Sequence, residues 1–167
     1  MARSILIACL LAALWTMPAA ARELCPGSDI APTAMASPLY RLLVARYGTP
    51  SDCHEAKQGD NQDLTISFKG GAQLTWSVNP TIEYSRQDAT LPPGTKPLLL
   101  PEAVKALRAT ETDATGDKGC RIAWSKLSAK DVRANGETEA SGAVCNCKAR
   151  ITRQNSAVVK LGFSSAC

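Results

Sequence analysis

The sequence has few aromatic residues and a single histidine. Phe, Trp and Tyr together make up 5% of the 167 residues, and His54 is the only imidazole. One histidine offers little for acid–base catalysis near neutral pH, and it cannot supply a histidine cluster for a metal. The sequence also contains no nucleophile elbow, phosphate loop or zinc-protease motif. Active sites are assembled in space, so these shortages weaken the expectation of an enzyme without excluding one.

Long apolar runs are also absent after the first residues. Arg3 precedes an apolar run from Ile5 to Trp15, which ends in small residues up to Ala21. This pattern predicts a signal peptide over residues 1–21, and its apolar run is too short to span a bilayer. A lipoprotein cleavage site at Cys9 is an alternative, although it comes too early in the run. We therefore expect one exported domain over residues 22–167, periplasmic or secreted, in the style of a Gram-negative bacterial envelope protein.

Cysteines, in contrast, are numerous for a domain of this size. Removal of Cys9 with the leader leaves an even number, which in an oxidising compartment favours three disulfides over free thiols. Six cysteines allow fifteen pairings. The pairs that we favour are Cys25–Cys53, Cys120–Cys147 and Cys145–Cys167.

The C-terminal residues predict a hairpin that agrees with one of these pairs. A loop of residues 155–157 would place Ile151 opposite Leu161 and Cys145 opposite Cys167. The pair Cys120–Cys147 has a conflict of register, because Cys120, Ile122 and Trp124 would face the same core as Cys147. A β-bulge or a non-adjacent strand would be needed to resolve it.

Elsewhere, hydrophobic periodicity predicts two helices and several short strands. Ser37 and Pro38 begin a helix that Gly48 ends, and a second helix runs from Pro101 to about Ala109. The remaining predicted elements are a hairpin over Leu64–Trp76 with a turn at 69–71, a strand at Ile82 and Tyr84, a Pro/Gly-rich connector at 88–97, and a strand at Cys120–Trp124. We expect both Trp76 and Trp124 to be buried.

These elements predict an α+β fold in which helices cover one face of antiparallel sheet. One helix followed by three strands would occur twice, in halves of about 22–90 and 98–167. The halves share an order of elements but little residue identity, so we favour sequential α+β over an internal duplication.

Three clusters of reactive side chains have alternative interpretations. Cys53 beside His54 suggests an activated thiol, but adjacent residues of an extended chain point apart. The pair Cys145 and Cys147 is spaced too closely for a usual zinc or redox motif. The acidic residues Glu111, Asp113 and Asp117 do not match a calcium loop. We therefore expect neither a cofactor nor a metal.

Basic residues gather on one side of the predicted structure, which makes them the one surface feature that indicates where a partner would bind. They lie on the outward face of the predicted C-terminal hairpin, near its turn or on the preceding strand: Arg121, Lys148, Arg150, Arg153 and Lys160. Such a face can attract an anionic partner, or it can simply protect an exposed sheet from pairing. The whole chain has 19 basic and 15 acidic residues, which does not indicate a nucleic-acid-binding protein.

These features favour a non-enzymatic binding or inhibitor-like module of the bacterial envelope. The arrangement is similar to the general design of small secreted inhibitors that present a sheet to another protein. Its partner would be a protein or an anionic envelope component. A small hydrolase or thiol enzyme around Cys53 and His54 is one alternative, and a structural accessory protein of the envelope is another.

Overall fold

The computed structural model describes residues 24–92, 97–115 and 119–166. The predicted signal peptide and Cys167 lie outside the described residues. The described helices are α1 (Ala31–Ala36), α2 (Pro38–Tyr47) and α3 (Leu100–Thr115). The strands are β1 (Pro50–Gln58), β2 (Asn61–Phe68), β3 (Gln73–Asn79), β4 (Tyr84–Thr90), β5 (Gly136–Ser141), β6 (Lys148–Gln154) and β7 (Ala157–Ala166). The protein is therefore α+β, as the sequence predicts.

All seven strands form one antiparallel sheet in the order β1-β2-β3-β4-β7-β6-β5. Strands β1 to β4 follow one another as a meander, and β5 to β7 form a second meander. The last strand of each meander, β4 or β7, lies at the centre of the sheet and pairs with the other. The two halves of the chain are thus joined by backbone hydrogen bonds into a single layer.

The helices begin and end where local chemistry allows. The Ser37 hydroxyl accepts the backbone N–H of Tyr40 at 3.2 Å, and Pro38 occupies the first turn of α2. Gly48 ends this helix with φ of 79°. Helix α3 continues six residues beyond its predicted end at Ala109, and its buried Thr110 hydroxyl donates to the Ala106 carbonyl at 2.9 Å. That bond makes a polar side chain acceptable on the core side of the helix.

The core lies between the helices and one face of the sheet. Its largest members include Leu39 and Leu43 of α2, Leu107 of α3, and alternate residues of the central strands. Trp76 is buried, whereas Trp124 is only half-buried. The expectation for Trp124 was therefore wrong, because it lies in a short 3-10 helix, Trp124–Leu127, at the margin of the core.

Two of the predicted disulfides are present. Cys25 bonds Cys53, and Cys120 bonds Cys147, with Cα atoms 5.4 Å and 5.7 Å apart. The register conflict disappears because neither Cys120 nor Cys147 lies in a paired strand. Cys145 is also disulfide-bonded. Its predicted partner is not among the described residues, so that pairing stays a prediction.

The repeated scheme of one helix and three strands is not confirmed. Among the described residues, the first half contains two helices and four strands, and the second contains one helix and three strands. Strand β1 has the sequence PSDCHEAKQ, which lacks apolar alternation because it is an edge strand with most side chains exposed. Strand β5 is the other edge, and its polar sequence also lacks the apolar alternation by which a strand would be predicted.

Two predicted strands were also misplaced. The segment Cys120–Trp124 makes only an isolated bridge between Ile122 and Gly142. Arg121 has φ of 54°, which interrupts an extended chain. Ile82 lies in a 3-10 turn, so β4 begins at Tyr84 and extends through the first residues of the predicted connector.

The C-terminal hairpin has its predicted register. Ile151 faces Leu161 and Ala149 faces Phe163. The turn itself is shorter than predicted, because Gln154 pairs with Ala157 and a bulge at Thr152/Arg153 restores the register.

Candidate functional site

One face of the sheet is not covered by any of the described helices, and we call it the outer face. Strand pairing aligns its side chains in rows that cross every strand. The central row consists of His54, Thr65, Thr75, Asp88, Gly162, Arg150 and Glu139. None of these seven described residues belongs to the hydrophobic core. The outer face is thus a continuous polar surface seven strands wide.

Serine and threonine occupy much of this surface. They alternate with the buried residues of the central strands, so each one faces outward by the two-residue period of a strand. Members of this set are Thr65, Ser67, Thr75, Ser77, Thr90 and Thr152. Short hydroxyl side chains keep the surface flat and offer both donors and acceptors to a partner.

The centre of the outer face is a charged group around Asp88. Its Oδ2 accepts a hydrogen bond from Arg86 Nε at 2.5 Å, and its Oδ1 lies 3.7 Å from Arg150 Nη2. The hydrogen bond with Asp88 raises the pKa of the Arg86 guanidinium above its ordinary value. The Asp88 and Arg150 side chains are 13% and 16% exposed, so neighbouring side chains fix their positions. This group is therefore ordered before any partner arrives.

Gly162 makes this arrangement possible. It lies between Asp88 on β4 and Arg150 on β6 in the pairing register. A Cβ atom at this position would lie 2.5 Å from Asp88 Oδ1 and 3.1 Å from Arg150 Nε. The absence of a side chain on β7 lets the two charged groups meet across the strand between them. A glycine inside a strand often marks such a close approach, and this was the signal in the sequence.

The five basic residues of the predicted face do not form one cluster. Lys148, Arg150 and Lys160 do share the outer face. Arg153 lies at the turn, where its guanidinium donates to the carbonyls of Ser156 and Val132 at 3.1 and 3.3 Å. Arg121 lies in the loop before the 3-10 helix, outside the sheet. Three of the five predicted residues thus contribute to the candidate site.

Acidic residues balance the charge of the outer face. Lys148 Nζ lies 3.3 Å from Glu139 Oε1, and Arg150 is paired with Asp88. The four basic outer-face residues of the described strands are Arg86, Lys148, Arg150 and Lys160, and the five acidic ones are Asp52, Asp63, Asp88, Glu137 and Glu139. Sequence reasoning missed the acids because they come from other strands, which share one sheet with the hairpin only in the folded protein. The surface is mixed in charge rather than basic.

The thiol site suggested by Cys53 and His54 is not assembled. Cys53 is bonded to Cys25, so it offers no thiol, and His54 points to the outer face. Glu55 faces the other side of β1, where Lys57 Nζ lies 3.2 Å from its Oε1. The three consecutive residues therefore point to alternate sides of an edge strand.

No metal site is evident in the described part of the chain. Among residues 24–92, 97–115 and 119–166, no group of three or more His, Cys, Asp or Glu side chains is placed to hold an ion. The Glu111 carboxylate accepts N–H groups of Cys120, Ile122 and Trp124. Its role is thus to join α3 to the following loop.

Comparison with protein-family models, curated proteins and solved structures found no match to this chain. Within the residues described, no helix has both the length and the apolar character needed to cross a membrane.

Proposed function

We propose that this protein is an exported, non-enzymatic binding module whose outer face docks against another protein. The observation that carries the proposal is the fixed charged centre of Asp88 and Arg150 above Gly162, set in an uncovered polar sheet. Burying two charged side chains to more than four-fifths is costly unless they are paired. Asp88 is paired within the sheet by Arg86 and Arg150, so this centre presents charges in fixed positions to a partner surface.

The dimensions of the outer face suit a protein partner. Seven strands spaced about 4.8 Å apart span about 29 Å, and six paired residues extend about 20 Å along the strands. The resulting area of about 600 Å² approaches the roughly 800 Å² that one partner contributes to a standard interface. Rigid strands also lower the entropy lost on binding.

The charge of the outer face favours a protein over the other partners considered above. Because its acidic residues slightly outnumber its basic ones, neither nucleic acid nor a purely anionic envelope polymer is favoured electrostatically. A protein surface that carries both signs of charge and hydroxyl groups is a better complement.

The disulfides support export to an oxidising compartment, periplasmic or extracellular. With Cys53 already bonded, the alternative of a thiol enzyme has little support. A structural accessory role in the envelope remains the second candidate, and it differs from the first in its partner, which would be a second copy of this chain or the cell wall.

Site-specific photocrosslinking in cells that export the protein tests the proposal. A benzophenone amino acid at Thr75 lies at the centre of the outer face, whereas the same group at exposed Lys130 lies after the 3-10 helix. We expect a discrete adduct with another protein from position 75 and not from position 130. Thr65→Lys, a neighbour of Thr75, should abolish the adduct, and Lys130→Glu should leave it intact.

Two outcomes would contradict the proposal. Identical adducts from positions 75 and 130 would show that the outer face is not selective. Adducts from position 75 only to a second copy of the chain or to cell-wall material would favour the structural accessory role. Circular dichroism of each variant confirms that the fold is retained.

A further inference from the structure

A second feature lies on the helical side of the molecule, apart from the outer face. A groove with a volume of about 710 Å³ runs between α3 and the 3-10 helix at Trp124–Leu127. Helix α3 packs on the core through Ala103, Leu107 and Thr110, so the groove follows the adjacent stripe of that helix. The volume lies within the range of about 300–1,000 Å³ that small-molecule sites occupy.

Apolar side chains line most of the groove. Leu100 and Val104 form one wall, and the Trp124 ring and buried Leu127 form the other. Leu99, directly before α3, is 65% exposed. Contiguous apolar surface rimmed by polar residues commonly marks a site for a ligand or partner.

Two cationic side chains, Lys105 and Arg108, also line the groove. The Arg108 guanidinium carbon lies 5.3 Å from the centroid of the Trp124 ring. Neither cation has an ion pair among the residues that the structure describes. The groove therefore combines an apolar floor with two cations that form no ion pair with the described residues.

Two carboxylates of the same helix already have other partners, Glu102 in an ion pair with Arg46 and Glu111 in hydrogen bonds to the following loop. Glu111, one turn after Arg108, accepts N–H groups from Cys120 at 3.1 Å, Ile122 at 3.4 Å and the Trp124 indole at 3.0 Å. Its bonds hold the indole in place as a wall of the groove. No described carboxylate lies within ion-pair distance of Arg108 or Lys105, so both cations are open to the carboxylate of a ligand.

We propose that the groove binds a medium-chain carboxylate, with its acyl chain along Val104, Trp124 and Leu127 and its carboxylate at Lys105 and Arg108. From Leu100 to Arg108 the helix rises about 12 Å, which suits a chain of medium length. Ten residues line the groove, fewer than the 20–30 that one side of a standard protein interface contains. The size thus favours a small amphiphile over an acidic protein segment.

Calorimetric titration of the mature protein tests this site. The probes are octanoate, decanoate and dodecanoate, each below its micelle concentration, and dodecyltrimethylammonium as a cation of the same chain length. We expect one dodecanoate per protein. Affinity should rise up to about four-fold for each added methylene, because each buried CH₂ contributes about 0.8 kcal/mol. The cationic amphiphile should bind at least ten-fold more weakly.

Variants assign the binding to the groove. Lys105→Gln with Arg108→Gln should weaken dodecanoate at least ten-fold. The matched control, Lys126→Gln with Lys130→Gln, changes two exposed lysines that do not line the groove, so affinity should stay within two-fold. Because all four side chains are exposed, these variants should keep the wild-type melting temperature.

Three results would overturn the proposal. Equal binding of the cationic amphiphile would reveal a non-selective apolar patch. Equal loss of affinity in both double variants would indicate general electrostatic attraction. Absence of saturable binding by any carboxylate would exclude this ligand class, and capture of an acidic peptide on Trp124 under those conditions would assign the groove to a protein partner.

Discussion

Glu111 and Trp124 join the two sides of the groove through a hydrogen bond of 3.0 Å from the indole nitrogen to the carboxylate. The same carboxylate satisfies the backbone N–H groups of Cys120 and Ile122. These donors would otherwise need a neighbouring strand, and the isolated bridge to Gly142 does not provide one for both. A single side chain thus replaces strand pairing in this segment.

Glu111→Ala should therefore lower the free energy of unfolding by about 2–4 kcal/mol. Hydrogen bonds to charged groups contribute about 1.5–3 kcal/mol each, and the substitution leaves partly buried N–H donors without their acceptor. Urea denaturation measures the change. Glu102→Ala is the control on the same helix, where loss of an exposed ion pair with Arg46 should cost less than about 1 kcal/mol. Equal effects of the two substitutions would show that Glu111 acts only as a surface charge.

The turn of the C-terminal hairpin contains backbone strain that a glycine substitution would relieve. Asn155 and Ser156 have φ of 49° and 67°, which is the conformation that a two-residue hairpin turn requires. Asparagine tolerates it, whereas serine does so less readily. Ser156→Gly should raise stability by about 0.5–1 kcal/mol, because its known contacts use only the backbone. Thermal melting checks this, with Gly48→Ala as the opposite case, since φ there is 79°.

Gly162 should resist substitution because of the charged group beside it. Its φ is not in the left-handed region, so only space limits the side chain. We expect Gly162→Ala to cost about 1–3 kcal/mol by overpacking. In an Asp88→Ala background the same change should cost less by at least about 0.5 kcal/mol, the coupling expected of residues in contact. Additive effects in this double-mutant cycle would mean that Asp88 does not occupy the space above Gly162.

The mature protein should contain no free thiol. Alkylation without reductant, followed by mass spectrometry, should modify none of the cysteines, and one peptide should link Cys145 to Cys167. The Ala166 amide already donates to the Cys145 carbonyl at 2.9 Å, which brings the end of β7 to that cysteine. Changing both Cys25 and Cys53 to serine should cost about 3–4 kcal/mol, as expected for a closed loop of this length. A reactive thiol at Cys53 in the native protein would instead revive the enzyme alternative.

The sequence predicted the elements whose signals are local. Ser37, Pro38 and Gly48 bound a helix by capping chemistry, and alternation from Ala149 to Phe163 sets a hairpin register without reference to the rest of the chain. Strand β1 gave no such signal, because an edge strand can be polar on both faces. The segment at Cys120 was wrongly predicted as a strand. Its apolar residues are buried because they belong to a loop that the hydrogen bonds of Glu111 hold in place.

The candidate site could be predicted only in part, because strand pairing and not local sequence brings some of its residues together. Lys148 and Arg150 are on one face by the two-residue period of β6, which the sequence reveals. Asp88 comes from β4, sixty-two positions before Arg150, and only the pairing of β4 with β7 brings them together. The local pattern predicted a basic surface, whereas the complete register produces a balanced one.

Lys148 and Arg150 should consequently differ in how they affect folding and binding. Lys148 is 40% exposed and its pair with Glu139 is at the surface, so Lys148→Ala should change stability by less than about 0.5 kcal/mol. Arg150 is 16% exposed and lies beside Asp88, so Arg150→Ala should cost about 1–3 kcal/mol, because it removes one cation from a partly buried carboxylate. Denaturation of each single variant separates the two.

If the outer face binds a protein partner, Lys148→Ala is then the cleaner probe of that surface. It should weaken the photocrosslink from position 75 while the melting temperature stays that of the wild type. Arg150→Ala should weaken it together with stability, and Arg150→Lys should restore some of the stability without the planar geometry of the guanidinium. Moderate salt should reduce the adduct only slightly, because the face carries both signs of charge and its central group is shielded from solvent. A steep loss of the adduct with salt would instead support the originally predicted anionic partner.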